Sequence, residues 1–450
     1  VSDLSAKSAG LHDAAEGKLR RRQIWYVFLI FVANLINYFD RSTISVGALK
    51  IRSDLAINAT QIGVLLSVWS LTYALCNMPS GFLVDRFGPR KLAPPAIFIW
   101  SLAEAAGGLV RGFFPLLLTR LILGMAESPI PPCNAKVVSS WISPRKRALA
   151  SACYVSASPL GPMLAPLLLT PLMLEFGWRW MFIFMGMVGM LIAAIYFITY
   201  REVEKAKITD EERSRIAGDE MTSPSRPITF PRWRSLFHFK TTWGLMLGSF
   251  ATGWTFWIFA GWLPLYFETQ FHFNPGKTSI YAAVPFLGGL LGTFAGGFFS
   301  EWLQRLGWSP FNSQKAPLIV GATGASLSNI VVALAPTANV AVIASFATIF
   351  FLMVIVVGQW AAPTVLFPKA LVGSAVTTFN FMAFIGATLS PLATGISVDI
   401  TGSFRATLLL GAAMSAFGAV ITYLMIRTPV TEASISDILD EDAGPSRFDK

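Results

Sequence analysis

The sequence predicts an all-α polytopic membrane protein, with twelve transmembrane helices in two pseudo-symmetric six-helix bundles. The first observation behind this is composition. The 450 residues are 54% hydrophobic and 13% charged, with mean hydropathy +0.58, whereas soluble domains carry about 25% charged residues. The second is that the apolar residues fall into stretches near the ~20 residues a helix needs to cross a bilayer, without the alternating pattern of a membrane barrel. The third is a repeat of glycine and proline spacing between the two halves of the chain.

Taken in order, the spanning segments are expected at residues 24–46, 61–84, 92–110, 114–138, 148–171 and 180–200, then 241–267, 278–300, 316–335, 339–362, 372–398 and 404–426. The first six form an N-terminal bundle (24–200) and the last six a C-terminal bundle (241–426). Residues 1–23 are a polar tail without the apolar core and small-residue cleavage site of a secretory signal. The first span is therefore expected to be retained, with no periplasmic targeting. Residues 201–240 carry "REVEKAKITDEERSRIAGDE" and then Pro/Ser-rich "TSPSRP", which reads as a short amphipathic helix and a linker. Residues 427–450 form a second tail.

An even number of spans puts both termini on one side. Of the 35 Lys and Arg residues, 26 then fall on the side of the termini, six in the opposite loops and three (Arg41, Arg120, Lys136) within spans. This asymmetry is the positive-inside pattern. It places the termini in the cytoplasm, and a cell inner (plasma) membrane location is expected. Topology thus accounts for the net charge of +10, and no nucleic-acid partner is needed to explain it. A monomer in the lipid bilayer is expected.

The repeat is visible in Gly161, Pro166, Gly177 and Gly186, which recur 225 residues later as Gly386, Pro391, Gly402 and Gly411. The loop "GFLVDRFGPRK" (Gly81–Lys91) has an echo in "GFFSEWLQRLG" (Gly297–Gly307). Two such halves about an axis normal to the membrane would place a substrate site between them at mid-depth.

Charges inside the spans are the sharpest functional signal. "NYFDRSTIS" (Asn37–Ser45) puts Asp40 beside Arg41 at the end of an apolar run, where each charge costs about 3 kcal/mol at the helix centre. Span 4 adds Arg120 and Glu127 in "RLILGMAESPIPPC". A structural ion pair is the plain reading, but intramembrane charges by default mark substrate and proton pathways. Neighbours on a helix point about 100° apart, so Asp40 and Arg41 need not pair. Arg120 and Glu127 sit about 10 Å apart along the axis, so Glu127 is expected to pair with another helix, Arg41 being the candidate. The prolines of "SPIPP" should bend span 4 beside the cavity.

"GFLVDRFGPRK" resembles the loop motif between spans 2 and 3 of the major facilitator superfamily. "NYFDRSTISV", "YALCNMPSGFLVDRFG" and "RLILGMAESPIPPCNAKVVSSW" together resemble one branch of it, the anion:cation symporter family, with its bacterial galactonate, glucarate and hexuronate transporters and, more distantly, sialin and the vesicular glutamate transporters. The resemblance implies the major facilitator fold and secondary active transport by alternating access: proton-coupled uptake of a small organic anion, a sugar acid first of all. It implies that Asp40 and Glu127 are proton-coupling carboxylates, that Arg41 binds the substrate carboxylate and that Arg120 belongs to the coupling network. Tyr38, Tyr73, Ser158 and Asn380 fall on positions that line the substrate site. Ser158 replaces a glutamine and Phe384 an asparagine common in that branch, which removes amides that would contact sugar hydroxyls. Asp85, Arg86 and Arg90 fall on a cytoplasmic gate that locks across the halves when the outer side is open.

The residue chemistry agrees. A guanidinium presents a planar fork that fits a carboxylate, and a carboxyl withdrawn from water holds its proton more tightly. Trp254, Trp257 and Trp262 of "GWTFWIFAGWLPLYF" could line the cavity, but plain interfacial or packing roles are the expected ones. Other classes are less well served. An efflux antiporter of the same fold would want a buried carboxylate for a cationic drug, and Arg41 favours an anion instead. An aromatic or other carboxylate stays open as substrate. A non-transporting sensor would need a signalling domain larger than the 40-residue central loop or the 24-residue tail. His12, His238 and His272, expected outside the spans, form no metal cluster or nucleophile–base pair. Cys76, Cys133 and Cys153 lie within spans and read as buried thiols. No enzyme activity, metal or cofactor is expected.

Overall fold

The computed structural model describes residues 2–206, 208–209, 212–213, 216, 230–368 and 371–443. Nine helical stretches among them are each long and apolar enough to cross a membrane. One of these, Leu149–Thr199, holds two spans, and two further helices, Pro89–Gly107 and Lys240–Gln270, complete the bundle.

The first half consists of α1 (Ser2–Leu55), α2 (Ala59–Phe87), α3 (Pro89–Gly107), α4 (Phe113–Trp141), α5 (144–176) and α6 (178–199). The second consists of α7 (Lys240–Gln270), α8 (Pro275–Arg305), α9 (Pro310–Ala333), α10 (Ala338–Leu366), α11 (Val372–Thr401) and α12 (Arg405–Met425). A last helix, α13 (Glu432–Ala443), packs on the short helix Phe230–Ser235 before α7, where Arg232 bonds Glu432. The first helix runs from Ser2, so residues expected as a polar tail, His12 among them, are helical. Nine of the twenty residues of the expected amphipathic stretch and the whole Pro/Ser-rich run lie outside the described residues.

Local chemistry sets the boundaries. Asn58 and Gln61 form a capping box at the start of α2, which satisfies two backbone N–H groups that a helix end leaves free. Asn274, Ser309 and Thr337 cap α8, α9 and α10, with proline next in the first two, the position where a missing N–H costs nothing. α4 breaks at Ser128–Pro129, where the helix Phe113–Glu127 gives way to Ile130–Trp141.

The repeat seen in the sequence is a structural one. Gly161 of α5 packs on Tyr38 of α1, and Gly386 of α11 packs on the Phe250 carbonyl of α7. Gly186 of α6 lies against the Ser101 carbonyl of α3, and Gly411 of α12 against Asn329 of α9. In each case a Cβ would overlap the neighbour, so only glycine allows the approach. Gly177 and Gly402 both take positive φ, 85° and 66°, and both separate the fifth span of their half from the sixth.

The halves meet unevenly. At the end that carries the chain termini, here the near end, each half has its own apolar cluster. One is built around Tyr26, Val84 and Trp141, the other around Leu236, Leu371 and Ile426. At the far end a single cluster joins them, with Ile57 and Ile62 of the first half beside Leu265, Phe267 and Phe404 of the second. There the Asp399 carboxylate of α11 accepts the N–H groups of Ala59 and Thr60 (3.0 and 2.7 Å) and the Thr60 hydroxyl (2.6 Å) at the start of α2. Ser70 and Thr388 lie 3.1 Å apart nearer the middle. The protein is therefore closed at its far end.

Of the three cysteines only Cys133 is buried. Cys76 is half-buried and Cys153 exposed.

Candidate functional site

Asp40 and Arg41 are adjacent on α1 and point to different neighbours. Arg41 turns toward α2 and α4, where its Nε donates to Glu127 Oε2 at 2.9 Å. Glu127 is fully buried and Arg41 nearly so. The same Glu127 oxygen accepts the indole N–H of Trp69 at 2.9 Å. The guanidinium lies among three rings, 4.4 Å from Trp69, 4.8 Å from Tyr38 and 5.1 Å from Tyr73. Aromatic faces attract a cation, more so when water is excluded.

Two residues of the second half complete this aromatic wall. Trp257 of α7 packs against Trp69, tilted by 43° with centroids 5.0 Å apart, and Phe384 of α11 lies 4.6 Å from Tyr73. The cation of the first half thus sits beside the junction of the two halves. Trp254 and Trp262 are buried elsewhere in the packing of α7.

Asp40 turns the other way, toward α3. Its Oδ2 accepts the Trp100 indole N–H at 3.1 Å, and its Oδ1 has no protein partner. Arg120 of α4 reaches the backbone carbonyl of Asp40 (3.4 Å) but places its charge on Glu104 of α3, at 2.6 Å. Asp40, Glu104 and Glu127 are each 0% exposed.

The structure thus brings together Tyr38, Asp40, Arg41, Tyr73, Arg120 and Glu127 from the expected set. Ser158 and Asn380 are half-buried and stand a turn away from residues of the site. Ser158 precedes Gly161, which packs on Tyr38, and Asn380 precedes Phe384.

The expected gate residues all find partners inside the first half. Asp85 accepts from Lys136 of α4 at 2.9 Å on the exposed near end, so Lys136 is paired there. Arg86 lies over the Phe87 ring. Arg90 bonds the Tyr200 carbonyl, and its backbone N–H reaches Glu202. In a conformation closed at the far end, none of these contacts crosses to the second half.

Sequence reasoning passed over Trp69, Trp100 and Glu104. Glu104 could have been found, since "SLAEAAGG" is a carboxylate within an expected span, the signal that drew attention to Asp40.

The sequence matches the Major Facilitator Superfamily over residues 30–391. It is 34% identical to the probable L-galactonate transporter of Escherichia coli (strain K12), with 92% of each chain covered. It is 28% identical to the hexuronate transporter of Bacillus subtilis (strain 168), covering 89% of this chain and 94% of that one. To the D-galactonate transporter of Escherichia coli O6:H1 it is 29% identical, covering 90% and 96%. Among solved structures, a bacterial homologue of the human lysosomal transporter Spinster, in an inward-facing and unoccupied conformation, matches with TM-score 0.74 at 18% identity. That match covers 91% of this chain and 99% of the other and shows the shared fold. The chain belongs to the Major Facilitator Superfamily and is a membrane transporter, not an enzyme.

Proposed function

We propose that the protein takes up a sugar acid (a hexonate, hexuronate or aldarate) together with protons, by alternating access. The observation that carries this reading is the buried Arg41–Glu127 pair at 2.9 Å, set in an aromatic wall between the halves. Arg41 is the cation a carboxylate substrate would seek, and in this state Glu127 neutralises it. A second carboxylate arriving at Arg41 would leave two anions facing one guanidinium in a site of low dielectric, an arrangement that is strongly unfavourable. Protonation of Glu127 removes the conflict, so substrate and proton enter together. Asp40 is the second proton-coupling carboxylate, and Arg120 links it to α3 and α4. Tyr38, Tyr73, Ser158 and Asn380 line the route of the polyol chain.

The likeness to galactonate, hexuronate and glucarate transporters supports the sugar-acid class. The distribution of basic residues supports an inner (plasma) membrane location with both termini cytoplasmic. The near end is then the cytoplasmic end, and the structure an inward-facing state. The 24–200 and 241–426 bundles rock as units about the site, with 201–240 as their tether. Asp85, Arg86 and Arg90 close the near end when the far end opens.

The aromatic wall favours a second reading, an aromatic or more apolar carboxylate stacked on Trp69, Trp257 and Phe384. Thermal unfolding of the purified protein against D-galactonate, L-galactonate, D-glucuronate, D-glucarate and benzoate separates the two, since a ligand stabilises the state it binds. A shift with sugar acids alone supports the first reading, and a shift with benzoate alone the second. Reconstituted protein with a pH-sensitive dye inside the vesicles tests coupling: the interior should acidify only when substrate enters. Uptake without proton movement would leave a uniporter.

A further inference from the structure

The buried charges of the first half do not balance. Three carboxyls (Asp40, Glu104 and Glu127) share this space with two guanidiniums (Arg41 and Arg120). Fully ionised, the cluster would hold one uncompensated negative charge away from water, a state proteins avoid by binding a proton. The pairing identifies the odd carboxyl. Arg41 is taken by Glu127 (2.9 Å) and Arg120 by Glu104 (2.6 Å), while Asp40 receives an indole N–H and has no cation. Arg120 is nonetheless within reach, since its Nη1 touches the Asp40 backbone oxygen at 3.4 Å. Four atoms of this cluster have no protein partner: Asp40 Oδ1, Glu104 Oε1, Arg120 Nε and, on the Arg41 side, Glu127 Oε1.

We propose that Glu104 is a positioning residue of the coupling mechanism: by holding Arg120 on α3 it keeps Asp40 without a counter-ion, and so fixes Asp40 as the carboxyl that carries the cluster's proton. This rests on the proton-symport reading given above. Release of the proton turns the Asp40 carboxyl into a carboxylate and passes H⁺ to water at the open face, and no other bond changes. Arg120 is then the nearest cation left to Asp40, shared with Glu104. The ionisable and charged groups that face Asp40 are Glu104 from α3, Arg120 and Glu127 from α4, and Arg41 beside it on α1. From α6 the Arg120 guanidinium meets only the Phe182 ring, at 5.0 Å.

The test is the pH dependence of substrate-driven proton uptake by the full chain in proteoliposomes, with E. coli lipid and D-galactonate or whichever acid the thermal screen identifies. Glu104→Gln keeps the shape and frees Arg120 for Asp40. The pH at which uptake is half-maximal should fall by about one unit, which is a tenfold change in proton affinity. The substrate KM at saturating acidity should change less than twofold, because Arg41 and Glu127 are untouched. The double variant E104Q/R120M removes the cation as well, and its midpoint should move the other way, at or above that of the parent. A merely structural Glu104 would lower the rate at every pH without moving the midpoint. If Glu104→Gln does not purify as a monodisperse protein, Glu104→Asp, which loosens the same pair, must shift the midpoint in the same direction. An unmoved midpoint in a proton-coupled parent overturns the assignment alone. Proton-driven accumulation that survives Asp40→Asn and disappears in Glu104→Gln overturns it by making Glu104 the carrier. A parent that moves no protons sinks both this assignment and the symport reading.

Discussion

Asp399→Ala should release the far end of the transporter. In the structure this carboxylate joins the halves through two backbone N–H groups and one hydroxyl at the start of α2, at 3.0, 2.7 and 2.6 Å. The donors are those an α-helix leaves unsatisfied at its N-terminus, and the carboxylate also meets the positive end of the helix dipole. Shielded hydrogen bonds to a charged group contribute about 1.5–3 kcal/mol each. Asp399 is exposed, so solvent screening brings the three together to about 1–2 kcal/mol. That corresponds to a factor of about 5–30 in a two-state ratio. The clasp spans 340 residues of sequence and joins elements that must part when the far end opens, so its loss favours the opposite state. Spin labels on Phe82→Cys of α2 and Thr377→Cys of α11, in a background without Cys76, Cys133 and Cys153, report the near-end separation. The short-distance population should rise in Asp399→Ala and rise less in Asp399→Asn, which retains one acceptor. Identical distance distributions in parent and Asp399→Ala would refute the reasoning and make the clasp incidental to the transport cycle.

Other perturbations address the site. Arg41→Lys keeps the charge and loses the planar fork, so carboxylate binding should weaken at least tenfold in a thermal-shift titration. A lysine variant that binds as tightly as the parent would remove Arg41 from the site. Glu127→Gln resembles the protonated acid and cannot release a proton, so counterflow of labelled substrate should persist while gradient-driven accumulation falls to background. Accumulation at the parent level would make Glu127 structural. Trp69→Phe keeps the stack on Arg41 and removes one N–H donor from the Glu127 carboxylate, worth about 1 kcal/mol. The pH midpoint of uptake should rise by about half a unit, and no movement would show that this hydrogen bond does not bear on the proton.

Much of the fold was legible because lipid imposes a one-dimensional rule: a span must be apolar over about 20 residues and must satisfy its own backbone. The break in α4 follows from its prolines, and the matched spacing of Gly177 and Gly402 corresponds to two positive-φ junctions. The site was legible wherever a charge stood in an apolar run, as with Asp40, Arg41, Arg120 and Glu127. What escaped was pairing between helices. The sequence does not say that Trp69 donates to Glu127, 58 residues away, or that Asp399 caps a helix 340 residues earlier. Nor can one sequence separate two conformations. Asp85 was expected to face the second half and here holds Lys136; a residue that gated by changing partners, as proposed for it, would have a different neighbour in each state.

The distribution of charge between the halves bears on how a proton could drive the rocking motion. The buried ion pairs, Arg41–Glu127 and Arg120–Glu104, both lie inside the first half. The second half faces them with neutral groups, Trp257 and Phe384 at the site and Thr388 above it. Proton binding therefore does not make or break an ion pair across the moving interface. Its effect must pass through the residues that touch both the charges and the other half. Trp69 and Tyr73 meet this requirement. Trp69 bonds Glu127, stacks on Arg41 and lies against Trp257, while Tyr73 stacks on Arg41 and Phe384. In the proposed cycle, a ring held by the ion pair on one side and by the opposite half on the other would be displaced when Glu127 is neutralised and Arg41 turns to substrate. An interface of packed rings accommodates such a shift by exchanging one set of contacts for another, because close-packed interiors resist gradual deformation. Under the proposed function the first half would sense protons and substrate, the second would supply an uncharged surface to rock against, and α2 would carry the signal from the site at its middle to the Asp399 clasp at its far end.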